Sequence, residues 1–201
     1  MADNSVVHLV DDDEEVRRAL AFLLGTAGWA VRVYESATAL LEQLDASQPG
    51  CIVSDVRMPG IDGIQLLQTL RQRKVALPVI IMTGHADVAL AVGAMKAGAV
   101  DFIEKPFSDD VLLAAISTAL ERPEGDGVAR KSAIEFKIAS LSEREREILE
   151  GLVIGKPNKT IAYDLGISPR TVEVHRASVM KKMGAASLSA LVRMAIVSGR
   201  F

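Results

Sequence analysis

Short apolar runs alternate with amphipathic stretches through the first 120 or so residues. Val6 to Val10, Ala30 to Tyr34, Cys51 to Ser54, Pro78 to Met82 and Val100 to Ile103 each read as a strand. Between them, apolar residues recur at helical spacing. A first helix runs from about Glu14 to Ala27, with Val16, Leu20, Leu23, Leu24 and Ala27 on one stripe. Ser36 caps a second that carries Leu40, Leu41 and Leu44, and Ile64, Leu67 and Leu70 mark a third. Ala86 to Lys96 is a fourth, closed by Gly98, and Ser108 to Leu120 a fifth, with Val111, Leu112, Ala115, Ile116 and Ala119 inward. Cys51 to Ser54 is apolar enough to be buried on both faces. Five strands alternating with five helices predict a doubly wound, five-stranded parallel sheet with helices on both sides.

The pattern changes after Glu121. Arg122-Pro123-Glu124-Gly125-Asp126-Gly127 has proline, glycine and charge without apolar periodicity and reads as linker. Val128 to Ile138 is partly helical in character. The chain thus divides into 1–121, a linker over 122–137, and 138–201. In the last part, Ser142 with Glu145 three residues on forms a capping box for a helix carrying Ile148, Leu149 and Leu152, which ends near Gly155. Asn158 is expected to cap a short helix with Ile161, Ala162 and Leu165, stopped by Gly166. Ser168-Pro169 opens a third helix that runs to Met183 before Gly184, and Ser187 opens a fourth with Leu188, Leu191, Val192 and Ile196. Two helices joined by a glycine-containing turn, inside an all-α four-helix unit, predict helix-turn-helix binding of double-stranded DNA.

Charge sharpens this division. The 201 residues carry a net charge of −3. Up to Glu121 there are 9 Lys and Arg against 17 Asp and Glu, a net of −8. From Arg122 onward there are 14 against 9, a net of +5. The front half suits a divalent cation and the back half a phosphate backbone. No apolar run has membrane length and no signal-peptide pattern opens the chain, which points to the cytoplasm and away from a membrane. The one cysteine, Cys51, fits a reducing compartment and reads as a small buried hydrophobe.

Candidate chemistry collects where the strands end. Asp55 closes the third strand, and Pro59-Gly60 and Asp62-Gly63 turn the chain beyond it. An acid in that place is usually a turn former or a helix cap. Here, however, Asp11 and Asp12 end the first strand, Thr83 the fourth, and Lys105 follows the fifth. In a doubly wound sheet these converge on one crevice. Carboxylates that close repel one another, and Mg²⁺ suits an all-oxygen site with room for water. Lys105 and Thr83 can meet phosphoryl oxygens, so a carboxylate attacking phosphorus in line would form an acyl phosphate. Asp13, Glu14 and Glu15 have the blander explanation that acids suit the first turn of a helix.

Asp11-Asp12, Ser54-Asp55-Val56-Arg57-Met58-Pro59-Gly60, Thr83-Gly84 and Lys105-Pro106-Phe107 resemble, in order, the motifs of the receiver domain of two-component response regulators, over about residues 5–121. The resemblance implies a flavodoxin-like fold and phosphorylation of Asp55 by a sensor histidine kinase. It implies Mg²⁺ held by Asp12, Asp55 and the backbone carbonyl of Arg57, with Asp11 reaching it through water. It also implies a cis Lys105-Pro106 peptide and an aromatic switch at Phe102, whose default reading is a core aromatic. His85 stands either near the path of the hydrolytic water or as an ordinary loop residue. His8 and His175 lie too far apart in sequence for zinc-ligand spacing.

On the third helix of the basic part, Val172, His175, Val179 and Met183 form a core stripe. Arg170, Glu173, Val174, Ala177 and Lys181 fall opposite, an arrangement suited to thymine methyls and a cytosine amino group in a major groove. Glu173, Val174 and Ala177 are expected at bases, and Lys159, Arg170, Arg176 and Lys181 at phosphates. Leu141-Ser142-Glu143-Arg144-Glu145, Gly155, Asn158-Lys159, Ile161-Ala162 and Thr171-Val172-Glu173-Val174-His175-Arg176 resemble the LuxR/NarL-type DNA-binding domain over about 138–201, with Thr171 among the contacts. Pro157 is not a required feature of that pattern. Both halves together are similar to the FixJ-type transcription activators. That likeness implies a transcription regulator, not an enzyme beyond self-phosphorylation and self-dephosphorylation, working with RNA polymerase.

Two other functions are consistent with parts of the pattern. An aspartyl-phosphate hydrolase also uses an Asp nucleophile with Thr and Lys, but no inserted cap interrupts the first half. A constitutive DNA binder with an inert receiver is argued against by the intact acid pair, Thr83 and Lys105. Phosphorylation is expected to create a homodimer through Val88, Val92, Lys96 and Asp101, a strip that a monomer would leave partly wet, with Val88 alone better read as core.

Overall fold

A computed structural model describes residues 5–84, 88–121, 127–185 and 187–199, with Val88 and residues 127–130 described by backbone alone. His85 and the 122–126 stretch therefore lie outside the described residues. The first 121 residues supply β1 (Val6–Val10), α1 (Glu14–Thr26), β2 (Ala30–Tyr34), α2 (Ala37–Gln43), β3 (Gly50–Asp55), α3 (Gly63–Gln72), β4 (Val79–Thr83), α4 (Val88–Ala97), β5 (Asp101–Glu104) and α5 (Asp109–Leu120). The five strands are parallel and ordered β2-β1-β3-β4-β5, the flavodoxin-like arrangement. The order reverses between β1 and β3, so the strand-end crevice falls between them.

Alternation along each strand sends side chains to two buried layers. Val7, Leu9, Cys51, Val53, Ile80 and Met82 share one cluster with Leu24 of α1 and Leu112 and Ile116 of α5. Val6, His8, Val10, Ile52 and Ile81, which point the other way, are buried as well. Cys51 has the packing role expected of it: burial pushes its thiol up to about 12, which leaves it unreactive. Gly50 is required where β3 starts, because a Cβ there would overlap the Val6 carbonyl of the paired strand.

Helix starts follow local chemistry. Asp13 caps α1, its carboxylate accepting from the Glu15 and Val16 amides, so this acid has a specific cap role in addition to a favourable charge. Ser36 caps α2, and Asp62 with Gln65 makes a capping box on α3. α4 is apolar around most of its circumference, and it groups with the helical unit instead of the sheet. Ala91, Val92, Ala94 and Met95 are all buried.

The helical unit contains α6 (Gly127–Ala139), α7 (Glu143–Val153), α8 (Asn158–Leu165), α9 (Pro169–Met183) and α10 (Leu188–Ser198). Residues 127–137, read from sequence as linker, are helical. Ile134 and Ile138 of α6 enter the same core as Leu149, Leu152, Val172, Val179 and Leu191, so the four expected helices gain a fifth. A stripe of only two buried isoleucines after a Pro/Gly-rich stretch is a weak periodic signal, and tertiary packing completes it. The expected cap at Asn158 is also overturned. Pro157 occupies the cap position, and the Asn158 Oδ1 is buried without a hydrogen-bond partner among the described residues.

An imidazole stands inside the sheet. His8 is fully buried in β1, its Nδ1 sharing a 3.0 Å hydrogen bond with the Tyr34 hydroxyl, while Nε2 has no partner among the described residues. Burial holds its pKa below the ordinary 6.5, and the Arg32 charge pushes the same way. The unfolded chain therefore takes up this proton first. Stability contributed by neutral His8 is complete above about pH 6.5 and declines as pH falls from there toward the lower folded pKa. Thermal unfolding of the sheet unit should show a midpoint that drops from pH 7 to pH 5 more steeply than in His8→Gln. Equal slopes would show that His8 does not carry the effect.

Candidate functional site

Register places the chemistry. Val10 pairs with Ser54, Asp55 with Met82, and Thr83 with Glu104, so β1, β3, β4 and β5 end side by side. Asp11 is 2% exposed and Asp55 7%. Between them lies the Lys105 ammonium, 2.8 Å from Asp11 Oδ2 and 2.6 Å from Asp55 Oδ1. The remaining carboxylate oxygens are also engaged. Asp11 Oδ1 accepts from the Asp13 amide at 3.0 Å, and Asp55 Oδ2 accepts from the Arg57 amide at 2.6 Å. Burial alone would lower the Lys105 pKa, but the hydrogen bonds and charges of Asp11 and Asp55 outweigh it, and the ammonium is held above its ordinary value. Removing this cation would leave two buried carboxylates unpaired, a change that typically costs about 3–5 kcal/mol.

The loop after β3 is built around Asp55. Ser54 Oγ donates to the Asp55 carbonyl, and the Val56 amide donates to Met82 O. Gly60 turns the chain with φ +78°, and α3 starts against the strand end. There the Gly63 amide donates to Val56 O, and a Cβ on Gly63 would come within 2.5 Å of the Asp55 carbonyl and 2.9 Å of Val56 Cα. Thr83 is fully buried, its carbonyl accepting from the Lys105 amide, and Lys105–Pro106 is cis. Phe102 is buried on β5 beside Ile81, as its core reading requires.

Asp11 and Asp55 are buried at the strand ends, while Asp12, the next residue in the chain after Asp11, is exposed, and among the described residues no group of three acids stands together as a metal site. The donor set is nonetheless hard and all-oxygen: two carboxylates at the crevice, a third at its rim, and backbone carbonyls. This fits Mg²⁺, which keeps several waters and is commonly bound through one or two carboxylates plus phosphate oxygens. The residues of the strip expected for dimerisation differ in exposure. Val92 is buried, only Lys96 is fully exposed, Asp101 is half-buried, and the Val88 side chain lies outside the described residues.

In the helical unit, Gly166 in left-handed conformation ends α8, and Ser168 caps α9 by accepting from the Thr171 amide. Val172, Val179 and Met183 are buried and His175 is half-buried, so the core stripe stands as read. Arg170, Glu173, Val174, Ala177 and Lys181 form an exposed face, with Val174 at 62%. Lys159 on α8 is exposed, and Thr171 and Arg176 are half-buried. Arg170 pairs loosely with Glu173 at 3.7 Å in solvent, a contact of about 0–1 kcal/mol that a base or phosphate can replace. Sequence reasoning gave Glu145 only a capping role. Its carboxylate also accepts from Ser178 Oγ and Lys182 Nζ of α9. Nothing in local spacing announces a bond across more than thirty residues.

Comparison with known proteins agrees with both halves. A family model for the response regulator receiver domain matches residues 7–117, and one for bacterial regulatory proteins of the luxR family matches 139–195. The chain is 55% identical over 201 residues to the transcriptional regulatory protein FixJ of Azorhizobium caulinodans, covering 99% of this chain and 95% of that one. It is 53% identical to FixJ of Rhizobium meliloti, covering 96% of each. The crystal structure of full-length FixJ from B. japonicum is similar with a TM-score of 0.57 at 48% identity, covering 100% of both chains.

The close approach at Gly63 yields a test. Gly63→Ala must displace either α3 or the Asp55–Val56 backbone, and should lower unfolding free energy by about 1–3 kcal/mol. The denaturant midpoint of the sheet unit measures it, and an unshifted midpoint would show that the helix start gives way without cost.

Proposed function

The chain belongs to the response regulators that join a receiver domain to a LuxR-type DNA-binding domain, in the FixJ group, and from that premise we propose that Asp55 is its phosphoryl acceptor. It is a transcription regulator and not a classical enzyme. The observation that carries the acceptor assignment is the ammonium of Lys105 lying 2.6 Å from Asp55 Oδ1. Asp55 is the buried acid at the centre of the strand ends, with a cation already beside the oxygen that would attack.

Phosphoryl transfer here needs positioning and charge compensation. Asp55 supplies the nucleophilic oxygen, and a phosphohistidine of a sensor kinase supplies the phosphoryl group. Lys105 can follow that group, exchanging a carboxylate oxygen for a phosphoryl oxygen, while Thr83 offers a hydroxyl from β4. Mg²⁺ would be held by Asp12, Asp55 and the Arg57 carbonyl, with Asp11 as a further acid, and would supply neutralisation of phosphoryl charge. The loop carrying Arg57 is fixed by its amide bond to Asp55. The hydrolase alternative gains no support, since a DNA-binding domain completes the chain.

The signal is read out by α9. Glu173, Val174 and Ala177 face bases, while Lys159, Arg170, Thr171, Arg176 and Lys181 serve the backbone. Phe102 repacks when Thr83 turns to the phosphate, and a dimer forms through α4 and β5. Val92 is buried, so Lys96 and Asp101 are the described residues that can form its polar contacts. Two linked readers then gain by effective concentration on paired half-sites. RNA polymerase is the downstream partner, and the setting is the cytoplasm. No helix among the described residues is long and apolar enough to cross a membrane.

With Mg²⁺ and a small phosphodonor such as acetyl phosphate, the wild-type protein should gain one phosphoryl group by intact mass and sediment as a dimer. Asp55→Asn should do neither. Phosphate gain by the variant at the wild-type rate would remove the assignment, and a phosphorylated monomer would remove the dimer.

For the DNA face, Lys159→Gln should lower the slope of log K against log salt by about 0.9 on any duplex. Glu173→Gln should instead relax preference at one base pair by about 1–3 kcal/mol. Equal weakening of the Glu173 variant on specific and random DNA would count against base contact.

A further inference from the structure

Two lysines sit side by side at the end of α9, and the structure treats them differently. Lys181 is exposed and has no ion pair among the described residues. Lys182 donates to Glu145 Oε2 at 2.6 Å. Glu145 is 5% exposed, and its carboxylate also accepts from Ser178 Oγ at 2.7 Å and from the Ser142 amide at 2.8 Å. Its position is fixed independently of Lys182, because it is the third residue of α7 and closes the capping box with Ser142. The acid is anchored at a helix start, and the lysine is the group that comes to it.

Helical spacing shows where Lys182 would otherwise go. Thr171, Ser178 and Lys182 follow one another at seven and four residues, so they share one flank of α9. That flank borders the exposed face of Arg170, Val174, Ala177 and Lys181. Thr171 is assigned to the DNA backbone on the same flank. A lysine stem is long enough to swing its ammonium from the α7 side to a phosphate alongside. The Lys182 side chain is 42% exposed, so solvent reaches it while its charge is committed. The bonds from Lys182, then Ser178 and the Ser142 amide, hold the Glu145 carboxyl down at about 2. Recruiting Lys182 to phosphate would leave a nearly buried carboxylate without its cation. Recruiting Lys181 would break nothing.

We propose that Glu145 acts as a charge brake on the reading helix: it withholds Lys182 from the DNA backbone, so α9 offers phosphate one cation fewer than its sequence contains. The consequence is a cap on sequence-independent affinity, the part of DNA binding that phosphate charge supplies. Excess affinity of that kind would hold the regulator on the many competing sites of a genome. The inference rests on the reading of α9 as the DNA-contacting helix, and the experiment separates the two.

The measurement is binding of the full chain to a random-sequence duplex by fluorescence anisotropy across a salt series. Lys181→Gln should lower the slope of log K against log salt by about 0.9, and Lys182→Gln should leave it unchanged. Glu145→Gln keeps an oxygen for the Ser142 amide and can donate from its NH2 to Ser178 Oγ, but removes the charge. It should raise the slope by about 0.9 and tighten binding at low salt, and adding Lys182→Gln to it should return the slope to wild type. A lower slope for Lys182→Gln, equal to that of Lys181→Gln, overturns the brake. So does a folded Glu145→Gln protein whose slope is unchanged. Unchanged slopes for both single lysine variants overturn the reading of α9 itself, and the brake with it. The two lysine variants decide the matter even where Glu145→Gln fails to fold.

Discussion

Two nearly buried carboxylates from different strands share one ammonium, and the crevice depends on that contact. Asp11 and Asp55 are brought side by side because β1 and β3 are neighbours at the point where strand order reverses. Lys105, about ninety residues from Asp11 in sequence, compensates both. Without it the two acids would face each other in a poorly hydrated site with no cation between them. One shared cation compensates both charges.

Close packing around Asp55 limits how its loop can move. Gly63 lets α3 begin against the Asp55 carbonyl, and Gly50 lets β3 enter beside Val6. The Arg57 amide holds the other Asp55 oxygen. A change of charge at Asp55 therefore acts on a strand end with little slack, where small shifts become discrete repacking. The helical unit uses the same device at another scale. Glu145, fixed by its own helix start, holds Ser178 and Lys182 of α9, so an ion pair at low exposure sets the register between two helices.

Much of this was legible from residues alone. The strands, the helix order, the Ser36 and Ser168 caps and the core stripe of α9 follow from period and capping chemistry, which are local properties. Asp55, Asp11, Thr83 and Lys105 could be placed at strand ends because each follows directly on an apolar run. Less local features were missed. α6 reads from residues alone as a partly helical linker, because Ile134 and Ile138 alone make a thin stripe, and its burial depends on partners distant in sequence. Val92 was expected at a wet surface, whereas α4 is apolar on most sides and its inner residues are buried. Asn158 looked like a cap, but Pro157, with no amide to donate and extended backbone geometry, took that place.

The sequence by itself determined the alternation of elements, the division into an acidic and a basic half, and the identity of the acids, the lysine and the reading face. These are set by spacing and by side-chain chemistry, which the chain carries wherever it folds. Only the tertiary structure decided which acids meet. Asp11 is buried against Lys105 while its neighbour in sequence, Asp12, is exposed. It also decided that Lys182 is committed and Lys181 is available. Adjacent lysines are equivalent in composition, but a helix turns 100° per residue, and only one of them faces the carboxylate anchored on α7.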